Sequence, residues 1–246
     1  HVPGTTVDRQ CGSAQQAVHF AAQAVMAGVN DLVVAGGVQQ MSQIPISSAM
    51  TLASDLGFPD PFTTSPGWVE RYGPNEVSQF TGAEMIAEKW NLSREEMEDF
   101  AIESHTRALK AQADGRFEAE IAPLEGLTFD EGPREPNVEK IRSLRTLVEG
   151  GRLTAACASQ ISDASASILI ASEQAVKDHG LTPRARIHHM SVRGDDPIFM
   201  LTAPIPATRY ALEKTGLTMD DIDTVEINEA FASVVLAWAK ELQPDM

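Results

Sequence analysis

A short apolar run, Leu32-Val33-Val34-Ala35, restricts the fold of this chain more than any other stretch. It contains no polar alternation and is followed by Gly36 and Gly37, which is typical of a strand buried on both faces of a parallel sheet. Ahead of it, apolar residues recur at three- and four-residue spacing from Ala14 to Gly28 and predict a helix packed on that sheet. Residues 1 to 37 therefore have the pattern strand, helix, strand.

The same alternation returns towards the other end of the chain. We predict strands over residues 186–193 and 222–227, a helix over 206–215, and a short capped turn of helix at Thr218 and Asp221. A small-residue helix is predicted to begin at Ser162-Asp163 and to lead into a strand at 168–170. Strands alternating with helices predict an α/β fold with a mostly parallel sheet.

The middle of the chain differs in composition. Residues 43–82 and 123–153 are rich in Pro, Ser, Thr and Gly or in charged residues, which predicts long irregular connections. Between them, helices are predicted over 83–90 and 93–114, the second opened by a capping box of Ser93 and Glu96. Together these segments indicate a lobe inserted into the α/β unit.

Composition narrows the class of protein. The chain has 246 residues, of which 43% are hydrophobic, and its 19 basic against 35 acidic residues give a net charge of -16. This charge disfavours nucleic acid and membrane surfaces as partners, and no apolar run reaches the roughly 18 residues that span a bilayer. Two distant cysteines in dissimilar surroundings predict free thiols and a cytoplasmic location. The abrupt start at His1 and the stop at Met246 predict truncation at both ends.

Cys11 is the first candidate for chemistry, because it lies where a strand is predicted to end and a helix to begin, within Asp8-Arg9-Gln10-Cys11-Gly12-Ser13. The positive end of a helix dipole favours a thiolate, which is the nucleophilic form of cysteine. The alternative is a small buried core residue, as free cysteines often are.

Asn228 and Glu229 follow the predicted strand 222–227 and would face the ligand crevice of an α/β sheet. Asn228 could stabilise an oxyanion, directly or through a water, or could simply cap the next helix. The small-residue run 154–163 permits close approach of a ligand or of a packed helix, and Cys157 within it is interpreted as an inert packed thiol. None of the six histidines has metal-ligand spacing, so we expect no metal.

Five segments in order resemble the signature segments of the thiolase family. They are Asp8 to Ser13, Ala35-Gly36-Gly37 with Met41-Ser42, the helices from Gly82 to Phe117, Ser159 with Asp163, and Asn228-Glu229-Ala230-Phe231-Ala232. The resemblance covers essentially the whole chain. It implies a duplicated, layered αβαβα fold with an inserted loop domain, incomplete in this chain. It also implies an N-terminal half at 1–42 and 162–184, a CoA-binding loop domain at 43–161, and the start of a C-terminal half at 185–246.

The resemblance also implies a reaction: an acyltransferase cleaves a 3-oxoacyl-CoA with CoA through an acyl group carried on Cys11. Asn228 would position a water in one oxyanion hole, Ser159 would hydrogen-bond the pantetheine arm, and Phe231 would line its tunnel. CoA is a substrate, and no cofactor is implied. The activating histidine and the acid/base cysteine of the family belong to later segments that this sequence does not contain, so the chain as printed is expected to lack turnover.

Departures from the family pattern bear on the acyl chain. Ser78 and Gln79 replace the His-Met or Asn-Met pair of acetoacetyl-specific members, and Phe80 follows them. Together with the altered 154–160 segment, they favour a bulkier substrate of fatty-acid or steroid side-chain type, bound in part by Gln79 and Phe80.

Two other functions remain open at this point. A ketoacyl-synthase-type condensing enzyme shares the cysteine at a helix start but would not carry the Asn-Glu-Ala-Phe-Ala run, and a non-catalytic acyl-CoA-binding or subunit protein could keep the fold without the reaction. For the thiolase architecture, association into a homodimer or homotetramer through the sheet is expected. Arg and Lys residues between 134 and 152 are candidates for the CoA phosphates.

Overall fold

A computed structural model describes residues 2–245, so His1 and Met246 lie outside the described residues. The chain forms two compact units, one of His1–Ala49 and Ile161–Met190, the other of Met50–Gln160 and Ser191–Met246. In chain order the elements are α1 (Ser13–Met26), β1 (Leu32–Gln40), α2 (Ser48–Thr51), α3 (Pro66–Tyr72), α4 (Gln79–Lys89), α5 (Arg94–Ala113), α6 (Val138–Arg142), β2 (Asp163–Ala171), α7 (Glu173–Asp178), α8 (Pro204–Thr215) and α9 (Ala232–Leu242), with 3-10 turns at Ser54–Leu56, Ala155–Cys157 and Met219–Asp221.

The first unit consists of helix α1 packed on a two-stranded sheet. Its small core joins Ala21 and Ala22 of α1 to Ala35 of β1 and Ile170 of β2. Alanines on the inner face of α1 let the helix approach the sheet closely. At Gly37 there is no room for a side chain, since a Cβ there would lie 2.7 Å from the Cβ of Ala14. The predicted helix over residues 14–28 and the strand at 31–35 are confirmed.

The predicted parallel pairing of that strand is wrong for the described residues. β1 runs antiparallel to β2, with Leu32 opposite Ala171 and Gln40 opposite Asp163. Burial on both faces is wrong as well, because Val34 and Val38 are 72% and 79% exposed. An apolar run indicates a strand, but its partner and the cover on its second face depend on distant segments.

The small-residue helix predicted from Ser162-Asp163 is wrong too, since residues 163–171 form strand β2. The small side chains serve the strand pairing instead. A Cβ on Gly36 would lie 2.6 Å from the carbonyl oxygen of Ala166, so the two backbones approach too closely for larger residues. At the end of the ladder, the Ser42 hydroxyl and the Ser42 N–H both donate to the Asp163 carboxylate, the N–H at 2.9 Å. The hydrogen bond from the hydroxyl, and then that from the N–H, lowers the pKa of Asp163.

The second unit is built around α4, α5 and α9. Its core includes the fully buried side chains of Ile86, Leu92, Met97 and Leu153, with Phe231 at 3% exposure. The helices predicted at 83–90, 93–114 and 206–215 are confirmed. Both predicted capping boxes, at Ser93 with Glu96 and at Thr218 with Asp221, are present. These elements were predictable because capping and helical periodicity are local properties.

A buried ion-pair cluster fastens α6 to α5. The Glu98 side chain is 1% exposed and accepts hydrogen bonds from Arg94 and Arg142, each at 2.8 Å. Arg142 also pairs with Asp99, and the hydrogen bonds to Glu98 and Asp99 raise the pKa of Arg142. Since a buried charge is tolerated only when it is paired, both arginines have structural roles.

Three further predicted strands are not formed in the described residues. Residues 2–7, 186–193 and 222–227 form neither helix nor ladder. Their residues are mostly exposed, and a segment with strand-forming residues stays irregular when no neighbouring strand pairs with it. No helix in the described part of the chain has the length and apolar character needed to cross a membrane.

Candidate functional site

Cys11 occupies a tight turn directly before α1. Gly12 is the N-cap of the helix, and Gln10 has φ +54°, in the left-handed region that few non-glycine residues adopt. The Gln10 N–H donates to Asp8 Oδ1 at 2.9 Å, and the Gln10 carbonyl accepts from the Ser13 N–H at 3.1 Å. The free thiol of Cys11 is exposed. The alternative of a buried core cysteine is therefore wrong for Cys11.

Side chains of the first helical turn hold this loop. Ser13 Oγ accepts from the Arg9 N–H at 2.8 Å and donates to the Gln10 carbonyl at 2.7 Å. The Arg9 guanidinium donates to Gln16 Oε1 at 2.6 Å. The turn is thus fixed to α1 on both sides of the thiol, which suits a nucleophile that must meet its target at a set angle.

The second unit contains the other predicted site residues. The Ser159 N–H donates to the Ala230 carbonyl at 3.0 Å, and Ala158 forms a β-bridge with Phe231. Ser159 and Phe231, 72 positions apart, are therefore neighbours. Asn228 is exposed, and it does not cap α9, whose N-cap is Phe231. The capping alternative for Asn228 is therefore wrong.

Phe80 joins this group through an edge-to-face contact. Its ring centroid lies 5.7 Å from that of Phe231 with an interplanar angle of 78°. Phe231 is buried, whereas Phe80 is 50% exposed and offers an aromatic face to solvent. Gln79 directly precedes Phe80 at the start of α4.

A cavity of about 160 Å³ lies beside Ser159. Sequence reasoning did not associate Ser104 and His105 with it, although Phe100, Ala101, Ser104 and His105 recur at the spacing of one helix face. His105 Nδ1 accepts from the Arg134 N–H at 3.3 Å, so its other nitrogen carries the ring proton. The cavity is lined by Phe100, Ala101, Ser104, His105, Ala156, Cys157, Ala158, Ser159, Gln160, Glu229 and Ala232.

Cys157 is buried at 3% exposure, and its sulfur lies 3.8 Å from Thr154 Oγ1. Burial raises the pKa of the Cys157 thiol. A protonated, enclosed sulfur is a poor nucleophile, which agrees with the interpretation of Cys157 as an inert packed thiol.

The basic residues between 134 and 152 fall into two groups. Arg142 is paired with Glu98, and Arg152 donates to the carbonyls of Ala87 and Leu92 at 3.1 and 3.0 Å. The side chains of Arg134, Lys140 and Arg145 are exposed and make no hydrogen bond or ion pair within residues 2–245. Only this second group is available to an anionic ligand.

No cluster of three or more His, Cys, Asp or Glu that could hold a metal occurs in the described part of the chain. A larger cavity, of about 600 Å³, has acidic residues in its wall, among them Asp220, Asp223 and Glu226. Carboxylates repel phosphate groups, so this cavity does not suit CoA.

Comparison with known proteins identifies the family. The descriptions "Thiolase, N-terminal domain" and "Thiolase, C-terminal domain" match residues 1–174 and 181–246. The chain belongs to the thiolase family. A solved structure of human mitochondrial 3-ketoacyl-CoA thiolase in complex with CoA superposes with a TM-score of 0.82 at 34% identity, over 98% of this chain and 62% of that one. The chain therefore has the thiolase fold.

Two curated relatives are similar along nearly the whole chain. Steroid 3-ketoacyl-CoA thiolase FadA6 of Mycobacterium tuberculosis is 64% identical over 99% of this chain. The 3-oxoadipyl-CoA/3-oxo-5,6-dehydrosuberyl-CoA thiolase of Escherichia coli is 38% identical over 98% of it. The chain spans 61% and 64% of the lengths of these two thiolases.

Proposed function

We propose that the protein is a degradative thiolase that cleaves a 3-oxoacyl-CoA with CoA through an acyl group on Cys11. The observation that carries this proposal is the exposed Cys11 thiol in a fixed turn at the start of α1, in a chain of the thiolase family. The 64% identity to a protein named as a steroid 3-ketoacyl-CoA thiolase supports the degradative direction.

The proposed reaction has two steps. Cys11 Sγ attacks the ketone carbon, the bond from that carbon to the α-carbon breaks, and the α-carbon leaves with the electron pair and takes up a proton as acetyl-CoA. The sulfur of a second CoA then attacks the thioester, which releases an acyl-CoA shortened by two carbons and returns the Cys11 thiol. A covalent intermediate divides one difficult step into two easier ones, and Asn228 is proposed to hold the water that stabilises an oxyanion.

The proposed substrate carries a bulky acyl chain of fatty-acid or steroid side-chain type. Phe80 is half exposed beside the buried Phe231 and offers an apolar contact. It directly follows Ser78 and Gln79, which replace the His-Met or Asn-Met pair of acetoacetyl-specific members. The printed name of the 64% identical relative agrees with a steroid-derived chain. Loading of Cys11 that favours acetoacetyl-CoA over longer 3-oxoacyl-CoAs would contradict this part.

CoA and acyl-CoA are the proposed partners, with Ser159 holding the pantetheine arm. For the CoA phosphates, the unpaired group of Arg134, Lys140 and Arg145 is favoured over Arg142 and Arg152. Replacing all three by Ala should weaken CoA binding roughly ten-fold in calorimetry, since each exposed charge contributes modestly. If the triple variant loses as much affinity for dephospho-CoA as for CoA, these residues do not contact the 3′-phosphate.

We also propose that the protein forms a homodimer or homotetramer through the sheet of the first unit. Val34, Val38 and Leu169 lie on one face of this sheet and are 72%, 79% and 46% exposed. Exposed aliphatic residues grouped on one strand face are typical of an association surface. The free state of both cysteines agrees with the cytoplasm as the proposed location.

Acyl transfer to Cys11 is the decisive test. The full-length protein is incubated with acetyl-CoA and with 3-oxoacyl-CoAs of several lengths, and peptides are analysed by mass spectrometry. We expect an acyl thioester on the peptide with Cys11, none in Cys11→Ser, and unchanged loading in Cys157→Ala. CoA binding without any thioester would instead favour the non-catalytic acyl-CoA-binding protein.

A further inference from the structure

The segment that carries Asn228 is tied down at few points. Among the described residues, the only hydrogen bond made by any residue of 223–229 joins Ser104 Oγ to Glu229 Oε2, at 2.8 Å. Asn228 itself is exposed. The position of its amide therefore depends on what holds the residue next to it.

The chain after Glu229 is fixed much more firmly. The Ala230 carbonyl accepts from Ser159, Phe231 is buried in the core, and the Ser233 hydroxyl donates to the Ala83 carbonyl at 2.9 Å with no exposure. The chain is therefore held from Ala230 onward, and the hydrogen bond that Ser104 donates to Glu229 extends this held segment to the residue next to Asn228.

The support on the α5 side is rigid as well. Ser104 lies one turn beyond Ala101, which is packed in the core at 8% exposure, on a 20-residue helix that begins with a capping box. A hydroxyl bound to a carboxylate is a charge-assisted hydrogen bond, stronger than a neutral one. Glu229 makes no ion pair in the described residues, and Arg107, one turn along α5 from Ser104, pairs with Glu103 at 2.6 Å.

We infer that Ser104 and Glu229 form a positioning pair, which holds the backbone of Asn228 so that its amide keeps one orientation. This inference rests on the proposed thiolase function of Asn228. Glu229 acts through its neighbour and needs only a hydrogen-bond acceptor at Oε2. Groups that stabilise a transition state must be held to within about half an ångström, so a small release of the segment should reduce the rate.

Four single variants of the full-length protein test the inference: Ser104→Ala, Ser104→Thr, Glu229→Ala and Glu229→Gln. We expect Ser104→Ala and Glu229→Ala to lower the rate of acyl transfer to Cys11 roughly ten-fold, with KM for the acyl-CoA changed less than about three-fold. Threonine keeps the hydroxyl and glutamine keeps an acceptor oxygen, so Ser104→Thr and Glu229→Gln should retain most of the rate. The double alanine variant should be no slower than either single one.

Glu226→Gln is the matched control, because Glu226 is exposed on the same segment and makes no hydrogen bond in the described part of the chain. It should leave the rate unchanged. Normal rates in both alanine variants would overturn the inference, as would loss of activity in Glu229→Gln equal to that in Glu229→Ala, which would mean that the charge itself acts.

A second measurement does not depend on activity. ¹⁵N relaxation should show lower order parameters for residues 226–229 in Ser104→Ala and unchanged ones in α9. Unchanged values for 226–229 would overturn the pair even in a protein that forms no thioester. The two proposals fail in different ways. Absence of an acyl group on Cys11 in the wild-type protein would contradict the proposed thiolase function, whereas normal rates in both alanine variants would contradict only the positioning pair.

Discussion

At the scale of single residues, exposure separates the two cysteines. Cys11 is exposed in a fixed turn, whereas Cys157 is enclosed and burial raises its pKa. Both interpretations followed from sequence neighbours, a predicted helix start for one and alanines for the other. The place of Ser104 and His105 beside the cavity could not be predicted, because the cavity forms only when residues 156–160, about 50 positions away, pack against this helix face.

Alkylation should distinguish these thiols. With iodoacetamide at pH 7, we expect one equivalent on the native protein, located at Cys11, and two after denaturation, as counted by intact mass. Cys11→Ala should take up none in the native state, because a buried protonated thiol reacts slowly. Labelling of native Cys157 at a rate comparable to that of Cys11 would contradict the structure.

At the scale of elements, helices were more predictable than strand pairing. Helix α5 could be located from its capping box and periodicity alone, since both are properties of neighbouring residues. The pairing of β1 with β2 joins Gly36 to Ser167, and no local pattern specifies a partner so distant in sequence. The same limit explains why 222–227 was predicted as a strand although nothing in the described residues pairs with it.

The ion pairs between α5 and α6 predict a clear difference between two neighbouring arginines. Arg142→Ala deprives the buried Glu98 carboxylate of a partner and should lower the melting temperature by about 5 °C. Arg145→Ala removes an exposed side chain without an ion pair in the described region and should change it by less than about 1 °C. Equal melting temperatures for the two variants in scanning calorimetry would contradict a stabilising role for Arg142.

The folding stability of the protein should depend on pH through His19 in helix α1. Burial, and then the charge of Arg9, lowers the pKa of His19 from 6.5, so the unfolded chain takes up a proton at a pH where the folded chain does not. Stability is therefore lost as pH falls below 6.5 towards the folded-state pKa. Urea midpoints at pH 7.5 and 5.5 should differ less in His19→Gln than in wild type, and an equal difference would remove His19 as the cause.

At the scale of the whole molecule, the net charge of -16 opposes an anionic substrate, so attraction to CoA, the proposed substrate, would have to be local. Of the five basic side chains between 134 and 152, two bind groups of the protein itself, and three have no hydrogen-bond or ion-pair partner in the described structure. The resemblance in signature segments predicted the family, which the comparisons confirm. It could not predict this division, because pairing with Glu98 depends on tertiary packing.

Association through the sheet of the first unit can be tested with charge. Val34→Lys with Val38→Lys should shift the mass by light scattering from an oligomer towards a single chain, because two buried charges oppose an apolar contact. Val29→Lys is the control, since Val29 is 74% exposed in the same unit but lies outside β1. The same mass for the sheet variant and the wild type would exclude this face as the contact.

The position of the turn that carries Cys11 depends on Gly37, a residue of strand β1. Ala14, whose Cβ faces the missing side chain of Gly37, lies three residues after Cys11 on the first turn of α1. The absence of a side chain at Gly37 therefore sets the distance between the sheet and helix α1, and with it the height of the Cys11 sulfur above the sheet. A single added methyl group there would displace the proposed nucleophile without changing any residue proposed to contact the acyl chain.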